Sequence, residues 1–200
     1  MTKEAFYGAE YPRLLKTEAA LAAIAEELKA DDTGDDLQPV VYYCTRIKQP
    51  ESMARKLRTR GLPVTAQAAT GSVCDAVGLR IICSFASDVL EIVRRLEADP
   101  RIHVTAKKDY LAVPKPNGYR SIHLQIRLRE TDLPAEIQVR TIAMDFWATL
   151  EHQIKYKKTI ADEALIRSEL KRCADEIASV DLSMQTIREI LREESAGEEE

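Results

Sequence analysis

Several things are scarce in this chain of 200 residues. Its four cysteines, Cys44, Cys74, Cys83 and Cys173, include no C-x-x-C pair. Neither a zinc ribbon nor a disulfide framework is therefore encoded, and the thiols read as small core residues of a reduced, cytoplasmic protein. No histidine precedes an aspartate, which excludes the adjacent His-Asp pair of metal phosphohydrolases. His123 and His152 have no third nitrogen or thiolate donor at ligand spacing, and each reads more readily as a polar or structural histidine. Neither G-x-x-x-x-G-K-[ST] nor G-x-G-x-x-G occurs, so any use of ATP proceeds without a P-loop or a kinase glycine loop. No run of about eighteen apolar residues and no apolar leader core is present, which predicts no membrane span and no secretory signal. A strong charge of one sign is lacking too. Lys and Arg number 29 against 33 Asp and Glu, a net charge of −4, which argues against a general nucleic-acid binder but leaves room for a local basic cleft.

What is present reads as helices enclosing several strands. Leu14, Leu21, Ile24 and Leu28 form one stripe of a helix from Tyr11 to Ala30, and the acidic run from Asp31 to Pro39 is a loop. Val40 to Tyr43 is β-prone. Pro50 is placed to open a basic helix over Glu51 to Arg60, which Gly61 and Pro63 close. Val73 to Phe85 ends as a strand with Leu79, Ile81, Cys83 and Phe85 on one face and Arg80 on the other. An amphipathic helix over Asp88 to Ala98 precedes a strand from Ile102 to Leu111. Ser121 to Arg129 alternates cleanly, Ile122, Leu124, Ile126 and Leu128 opposing His123, Gln125, Arg127 and Arg129. Ala135 to Thr141 does the same, Ile137 and Val139 opposing Glu136, Gln138 and Arg140. The helix from Thr141 is expected to bring Phe146 and Trp147 to the core. In the last helix Ile166, Leu170, Cys173, Ile177, Val180, Met184, Ile187 and Leu191 form a heptad seam. That seam must be buried against the N-terminal helix or another subunit, and the tail Glu194 to Glu200 is expected to fray.

The chemistry concentrates in a few places. Asp109 to His123, D-Y-L-A-V-P-K-P-N-G-Y-R-S-I-H, leads from one strand to the next through prolines and an Asn-Gly turn, holding Lys115, Tyr119 and His123 close together. A ring beside cations suits a nucleotide, the base stacking while the cations meet phosphate; the same stretch also fits a plain hairpin with one core tyrosine. Arg46, Lys48, Ser52 and Lys56 form R-x-K-x3-S-x3-K. With a helix starting near Pro50 they converge on its N-terminus and could hold a triphosphate, although a solvated basic helix has the same pattern. Asp75, just before a strand, and Glu136, on the polar face of another, are a carboxylate pair that could hold Mg²⁺. Each alone is also an ordinary loop or strand acid.

Five segments, taken in order, resemble the synthetase domain of the RelA/SpoT family, and within it the stand-alone small alarmone synthetases of the RelQ type. They are R-I-K-Q-P-E-S-M-A-R-K-L, D-A-V-G-L-R, K-D-Y-L-A-V-P-K-P-N-G-Y-R-S-I-H, A-E-I-Q-V-R-T and M-D-F-W-A-T-L-E-H. The resemblance implies an α+β protein with a mixed sheet of about five strands in a nucleotidyltransferase-like fold. It divides the chain into an N-terminal helical arm (1–39), a catalytic domain (40–158) and a C-terminal heptad helix with acidic tail (159–200). The activity implied is transfer of the β,γ-diphosphate of ATP to the ribose 3′-hydroxyl of GDP or GTP, with release of AMP, in stringent-response signalling and without hydrolase activity.

Carried over by position, Arg46 and Arg80 would sandwich adenine and Lys48, Ser52 and Lys56 would hold the ATP phosphates. Asp75 and Glu136 would hold Mg²⁺, Glu136 alternatively taking the proton from the attacking hydroxyl. Tyr119 would stack on guanine, Lys115 and His123 would face the acceptor's phosphates, and Asn117, Gln138 and Arg140 would complete the acceptor side. Asp145, where some small synthetases carry Asn, would contact guanine. A cytoplasmic homotetramer is also implied, with an allosteric (p)ppGpp or RNA site at the subunit interface. Tyr42 to Cys44 lies in the matching region but lacks the Phe-x-Thr pattern of regulated members. Other readings are a toxin-like pyrophosphokinase acting on adenosine nucleotides or the tRNA 3′ end, and a non-catalytic guanine-nucleotide or RNA-binding module.

Overall fold

A computed structural model of the chain describes residues 1–30, 38–156 and 162–197. The predicted acidic loop lies mostly outside the described residues, as do the predicted domain boundary near 158 and the last three residues of the tail. The elements run α1 (Lys3–Tyr7), a 3₁₀ turn (Gly8–Glu10), α2 (Tyr11–Ala30), β1 (Val40–Ile47), α3 (Pro50–Thr59) and α4 (Ala66–Gly71). They continue with β2 (Val77–Cys83), α5 (Ala86–Ala98), β3 (Ile102–Asp109), β4 (Ile122–Leu128), β5 (Leu133–Thr141), α6 (Ile142–Tyr156) and α7 (Glu163–Gly197). The five strands form one mixed sheet in the order β1-β2-β5-β4-β3. Its central pair β2–β5 is parallel and the other pairings are antiparallel. The α+β class and the five-stranded mixed sheet are as the family resemblance implies.

Register gives the sheet two faces. Leu124, Ile137, Leu79 and Thr45 lie side by side across four strands, and Ile122, Val139, Ile81 and Tyr43 form the next such row. α2 and α5 join this face to a single core, burying Leu14, Leu21 and Ile24 from one and Val89, Ile92, Val93 and Leu96 from the other. On the opposite face the rows read His123, Gln138, Arg80, Cys44 and Gln125, Glu136, Gly78, Arg46. Side chains alternate along every strand, so the hydrophobic demand of the core commits the charged residues to one surface.

Local signals account for the element ends. Pro50 stands in the first turn of α3, where its missing N–H is no loss. Thr65 Oγ1 accepts from Ala68 N to open α4, a helix the sequence reading missed. Thr141 Oγ1 accepts from Met144 N at the start of α6, leaving Asp145 in the first turn, where a negative charge suits the helix dipole.

Four expectations are corrected. β2 ends at Cys83, and Phe85 instead donates its backbone N–H to Asp88 at the start of α5. β3 ends at Asp109 and β4 begins at Ile122, so the prolines and Asn-Gly belong to a long loop and not to a short hairpin turn. Trp147 is buried and donates Nε1–H to the Leu170 carbonyl, whereas Phe146 is 58% exposed; adjacent helix positions lie about 100° apart, so one facing the core sends the next outward. Cys44 is exposed on the charged face, although Cys83 is buried in the core and no cysteine is in a disulfide among the described residues.

α7 departs most from expectation. It packs on α6 and α5 while the stripe of α2 is buried against the sheet, and it stays helical through Gly197. Ile166, Leu170, Cys173 and Ile177 are half-buried, but Val180, Met184, Ile187 and Leu191 face solvent. The buried stripe is largely polar instead: Ala174, Asp181, Gln185 and Arg188. Asp181 accepts from Thr141 Oγ1 at 2.7 Å, Gln185 Oε1 accepts from Ser87 N and Oγ, and Arg188 pairs with Asp88 at 2.5 Å with its guanidinium over the Phe85 ring. Hydrophobicity therefore marks the outward face of this half of the helix.

A buried ion pair broken on one side leaves an uncompensated charge. Arg188→Ala is expected to destabilise the fold by about 3 kcal/mol or more, and urea unfolding followed by circular dichroism checks it.

Candidate active site

The charged face carries two adjoining cavities. One is lined by Arg46, Asp75, Arg80, Glu136 and Gln138, with Cys44, Gly78 and Leu79. The other, of about 710 Å³, is lined by Arg46, Lys48, Ser52 and Lys56 with further cations. Arg46 belongs to both, so the residues of the predicted donor site form one continuous surface. They reach it from different elements: Arg46 from β1, Ser52 and Lys56 from α3, Lys48 and Asp75 from the connections before α3 and β2, and Arg80 from β2.

Asp75 is the hub of the basic half. Lys48 Nζ donates to its Oδ2 at 2.5 Å and Lys56 Nζ reaches the same oxygen at 2.6 Å. Burial alone would raise the Asp75 carboxyl, but the two ammonium groups outweigh it and hold the group below the usual carboxylate range. Its Oδ1 is buried with no hydrogen-bond partner among the described residues. Glu136 faces the same cavity and accepts from His123 Nδ1 at 3.0 Å. Burial pushes this carboxyl up and the His123 contact pulls it down, with a net lowering. Both carboxyls are thus anionic at neutral pH.

Lys48 is fixed from below. The Tyr7 hydroxyl donates to the Lys48 carbonyl at 2.8 Å, and Lys48 N donates to the Ala76 carbonyl at 2.9 Å. Tyr7 is wholly buried, and burial, reinforced by the nearby Asp75 charge, pushes its hydroxyl up to about 12. The N-terminal arm is therefore part of the site's foundation, a role that nothing in the sequence around Tyr7 announces.

On the predicted acceptor side, the loop of residues 110–121 is tied at its base by Tyr110 N to the Ser121 carbonyl and by an Asx turn in which Asp109 Oδ1 accepts from Leu111 N and Ala112 N. At its tip Gly118 N donates to the Lys115 carbonyl. Gly118 has φ +88°, and a Cβ there would lie 2.4 Å from the Ala174 Cβ of α7, so only glycine suits both the turn and the contact. Arg120 adds bonds to the Ala174 carbonyl and to Asp175. Lys115 Nζ sits 4.5 Å and 4.6 Å from the ring centres of Tyr110 and Tyr119.

Not every predicted residue lines the cavities with a free hand. His123 is buried, its Nε2 within 2.8 Å of the Tyr119 hydroxyl and its Nδ1 on Glu136, so it links the loop to the carboxylate instead of facing open space. Asn117 shapes the loop, donating to Glu151 and accepting from Tyr119 N. Arg140 is 2% exposed and paired with Asp145. Asp145 also accepts from the Tyr42 hydroxyl at 2.6 Å and lies 3.5 Å from Arg80, so both its oxygens are engaged by protein groups. Tyr42, expected near an oligomer interface, points its hydroxyl to this cluster.

The sequence reading assigned no role to Lys3, Arg55, Arg60 or His152, which line the larger cavity. Ser52, Arg55, Lys56 and Thr59 recur at helical spacing, so Arg55 was within reach of periodicity. Lys3 and His152 come from opposite ends of the fold and carry no such signal.

No group of three or more His, Cys, Asp or Glu side chains among the described residues forms a metal cage. No helix among them is long and apolar enough to cross a membrane.

Comparison with known proteins agrees with this geometry. A model of a region found in RelA / SpoT proteins matches residues 45–161. The GTP pyrophosphokinase YwaC of Bacillus subtilis is 40% identical over 156 residues, spanning 75% of this chain and 74% of that protein. The GTP pyrophosphokinase YjbM of the same organism is 33% identical over 169 residues, spanning 82% and 79%. Among solved structures, the small alarmone synthetase 2 from Bacillus subtilis superposes with a TM-score of 0.77 at 34% identity, covering 90% of this chain and 98% of that one. The small alarmone synthetase 1 bound to its product pppGpp gives 0.75 at 29% identity, covering 92% and 95%.

The lowered carboxyls set a pH dependence. A depressed folded-state pKa adds stability that is fully present above the unfolded value, about 4, and is lost as pH falls through the depressed values. Lys56→Met removes one cation from Asp75 and should shift that acid loss to higher pH. Thermal melts from pH 8 to pH 3 check both statements.

Proposed function

Because the chain belongs to the RelA/SpoT family, we propose that it is a (p)ppGpp synthetase, transferring the β,γ-diphosphate of ATP to the ribose 3′-hydroxyl of GDP or GTP. The observation that carries this reading is the meeting of a basic cavity with an anionic carboxylate pair, Asp75 and Glu136, at a shared Arg46. Diphosphate transfer has little need of covalent help from the protein. Its requirements are in-line placement and neutralisation of charge on the phosphoryl oxygens.

The basic cavity takes the triphosphate, with Lys48, Lys56 and Ser52 on the phosphates and Arg46 and Arg80 flanking adenine. Asp75 holds Lys48 and Lys56 in place. The acceptor guanosine nucleotide lies beside Tyr119, with Lys115 on its phosphates and Gln138 on the cleft wall. The 3′-oxygen attacks the β-phosphorus. The bond from that phosphorus to the oxygen bridging it to the α-phosphorus breaks, and AMP leaves with the electron pair. The proton released by the 3′-hydroxyl passes to Glu136, which His123 holds anionic and oriented from behind. Tyr119 and His123 are joined by a hydrogen bond, so the residue beside the acceptor base is coupled to the group that takes the proton.

The site's donor set fits a divalent cation, and Mg²⁺ in particular. Asp75 has a buried carboxylate oxygen without a partner among the described residues, and Asp75 and Glu136 are both anionic oxygen donors in one cavity. Asp75 would hold such an ion together with waters and substrate phosphates, Glu136 sharing it only where it does not take the proton. When bound, it supplies neutralisation of the phosphate charge.

The protein acts in the cytoplasm, where both nucleotides are available. The exposed apolar residues Val180, Met184, Ile187 and Leu191 on α7 support assembly with further copies as a homotetramer.

The deciding experiment incubates purified protein with ATP, Mg²⁺ and GDP or GTP and separates products by anion exchange. AMP should appear in step with ppGpp or pppGpp; AMP without a 3′-diphosphorylated guanosine product would overturn the reading. Glu136→Gln should lower the rate about 100-fold or more with ATP binding retained, measured by calorimetry. Chelation with EDTA should abolish product, and added Mg²⁺ should restore it.

A further inference from the structure

Four elements meet at one end of the charged face. Tyr42 comes from β1, Arg80 from β2, Arg140 from β5 and Asp145 from the first turn of α6. Asp145 Oδ1 accepts from Arg140 and lies 3.5 Å from Arg80 Nη1, and its Oδ2 accepts from the Tyr42 hydroxyl at 2.6 Å. The arginines differ in setting. Arg140 is almost wholly buried, while Arg80 is partly open and lines the cavity with Arg46.

We propose that Asp145 is a positioning residue of the donor half of the site: it neutralises Arg140 and tethers Arg80 where the base of ATP is to stack, and it does not read the acceptor base. This rests on the reading of the cavity as the ATP site. The argument starts from charge. A guanidinium as buried as that of Arg140 requires a counter-charge, which Asp145 supplies. Recognition of guanine by Asp145 would turn both its oxygens toward the two ring-edge donors. That would strand the Arg140 charge and leave the Tyr42 hydroxyl without its acceptor.

The tether also answers a geometric need. Backbone pairing fixes the Cα of Arg80 beside Gln138 and Cys44, but leaves several rotatable bonds before its guanidinium. Arg80 Nε has no hydrogen-bond partner among the described residues, so the ion pair with Asp145 restrains the far end of the side chain. A planar guanidinium stacks on a base only when its plane is held. Tyr42 completes the arrangement by holding the second oxygen of Asp145. Burial together with this bond pushes the Tyr42 hydroxyl up to about 12, so it remains a donor throughout the working range.

The test is calorimetric titration of the full chain with Mg²⁺ and a non-hydrolysable ATP analogue, for wild type, Asp145→Asn, Arg80→Ala and the double variant. Asp145→Asn should weaken binding about tenfold, with the double variant no weaker than Arg80→Ala, because one contact is lost only once. In turnover assays the KM for ATP should rise while the preference for GDP over IDP stays as in wild type. Analogue binding unchanged in Asp145→Asn, independent losses that multiply in the double variant, or a lost preference for GDP would each overturn the proposal. If Asp145→Asn does not fold, Tyr42→Phe carries the test, with an expected loss of about two- to threefold; binding equal to wild type would overturn it. Analogue binding needs no acceptor, so failure here is distinguishable from failure to make an alarmone.

Discussion

The parallel pairing of β2 with β5 is the constraint on which the other features depend. It sets Leu79 beside Ile137 on one face and Arg80 beside Gln138 on the other, with Gly78 beside Glu136. The antiparallel neighbours extend those rows to His123 on β4 and to Arg46 on β1. A slip of one residue would carry the whole apolar set into solvent and the charges into the core. The same force that assembles the core therefore assembles the charged face, and α2 and α5 cover only the former.

On that face the electrostatics separate into three linked groups. Asp75 gathers Lys48 and Lys56, Glu136 is held by His123, and Asp145 gathers Arg80 and Arg140. Asp75 and Asp145 offset the desolvation of the cations they pair with and His123 orients Glu136, so the cleft is preorganised by its own side chains. Preorganisation extends beyond the cleft. Tyr7 supports Lys48 from the N-terminal end, and Arg120 and Gly118 fasten the loop of residues 110–121 to α7. Residues of both helical ends are thus mechanical parts of the candidate site and not appendages to it.

α7 shows how a correct periodicity can mislead about orientation. Its heptad seam is present, but the first half packs near Trp147 and α6 and not on the N-terminal helix. Its second half docks through Asp181, Gln185 and Arg188, which meet Thr141, Ser87 and Asp88. Hydrophobic patterning ranks faces by polarity and so misses a docking surface made of paired polar groups. Phe146 and Trp147 pose the same difficulty at the scale of one turn: both are apolar, yet one is exposed and the other buried.

Alternation in β2, β4 and β5 was enough, from sequence, to determine the two faces of the sheet, because side-chain direction along a strand follows from position alone. Motif order likewise placed Arg46, Lys48, Ser52, Asp75 and Glu136 among the candidate site residues, since each lies in a segment whose local structure is encoded nearby. Tertiary structure alone decided which partners those side chains take. The bonds of Asp145 to Tyr42 and Arg140, of Tyr7 to Lys48 and of His123 to both Tyr119 and Glu136 mostly join separate elements of the chain. Ion pairing depends on distance and burial, and neither is a property of any one segment.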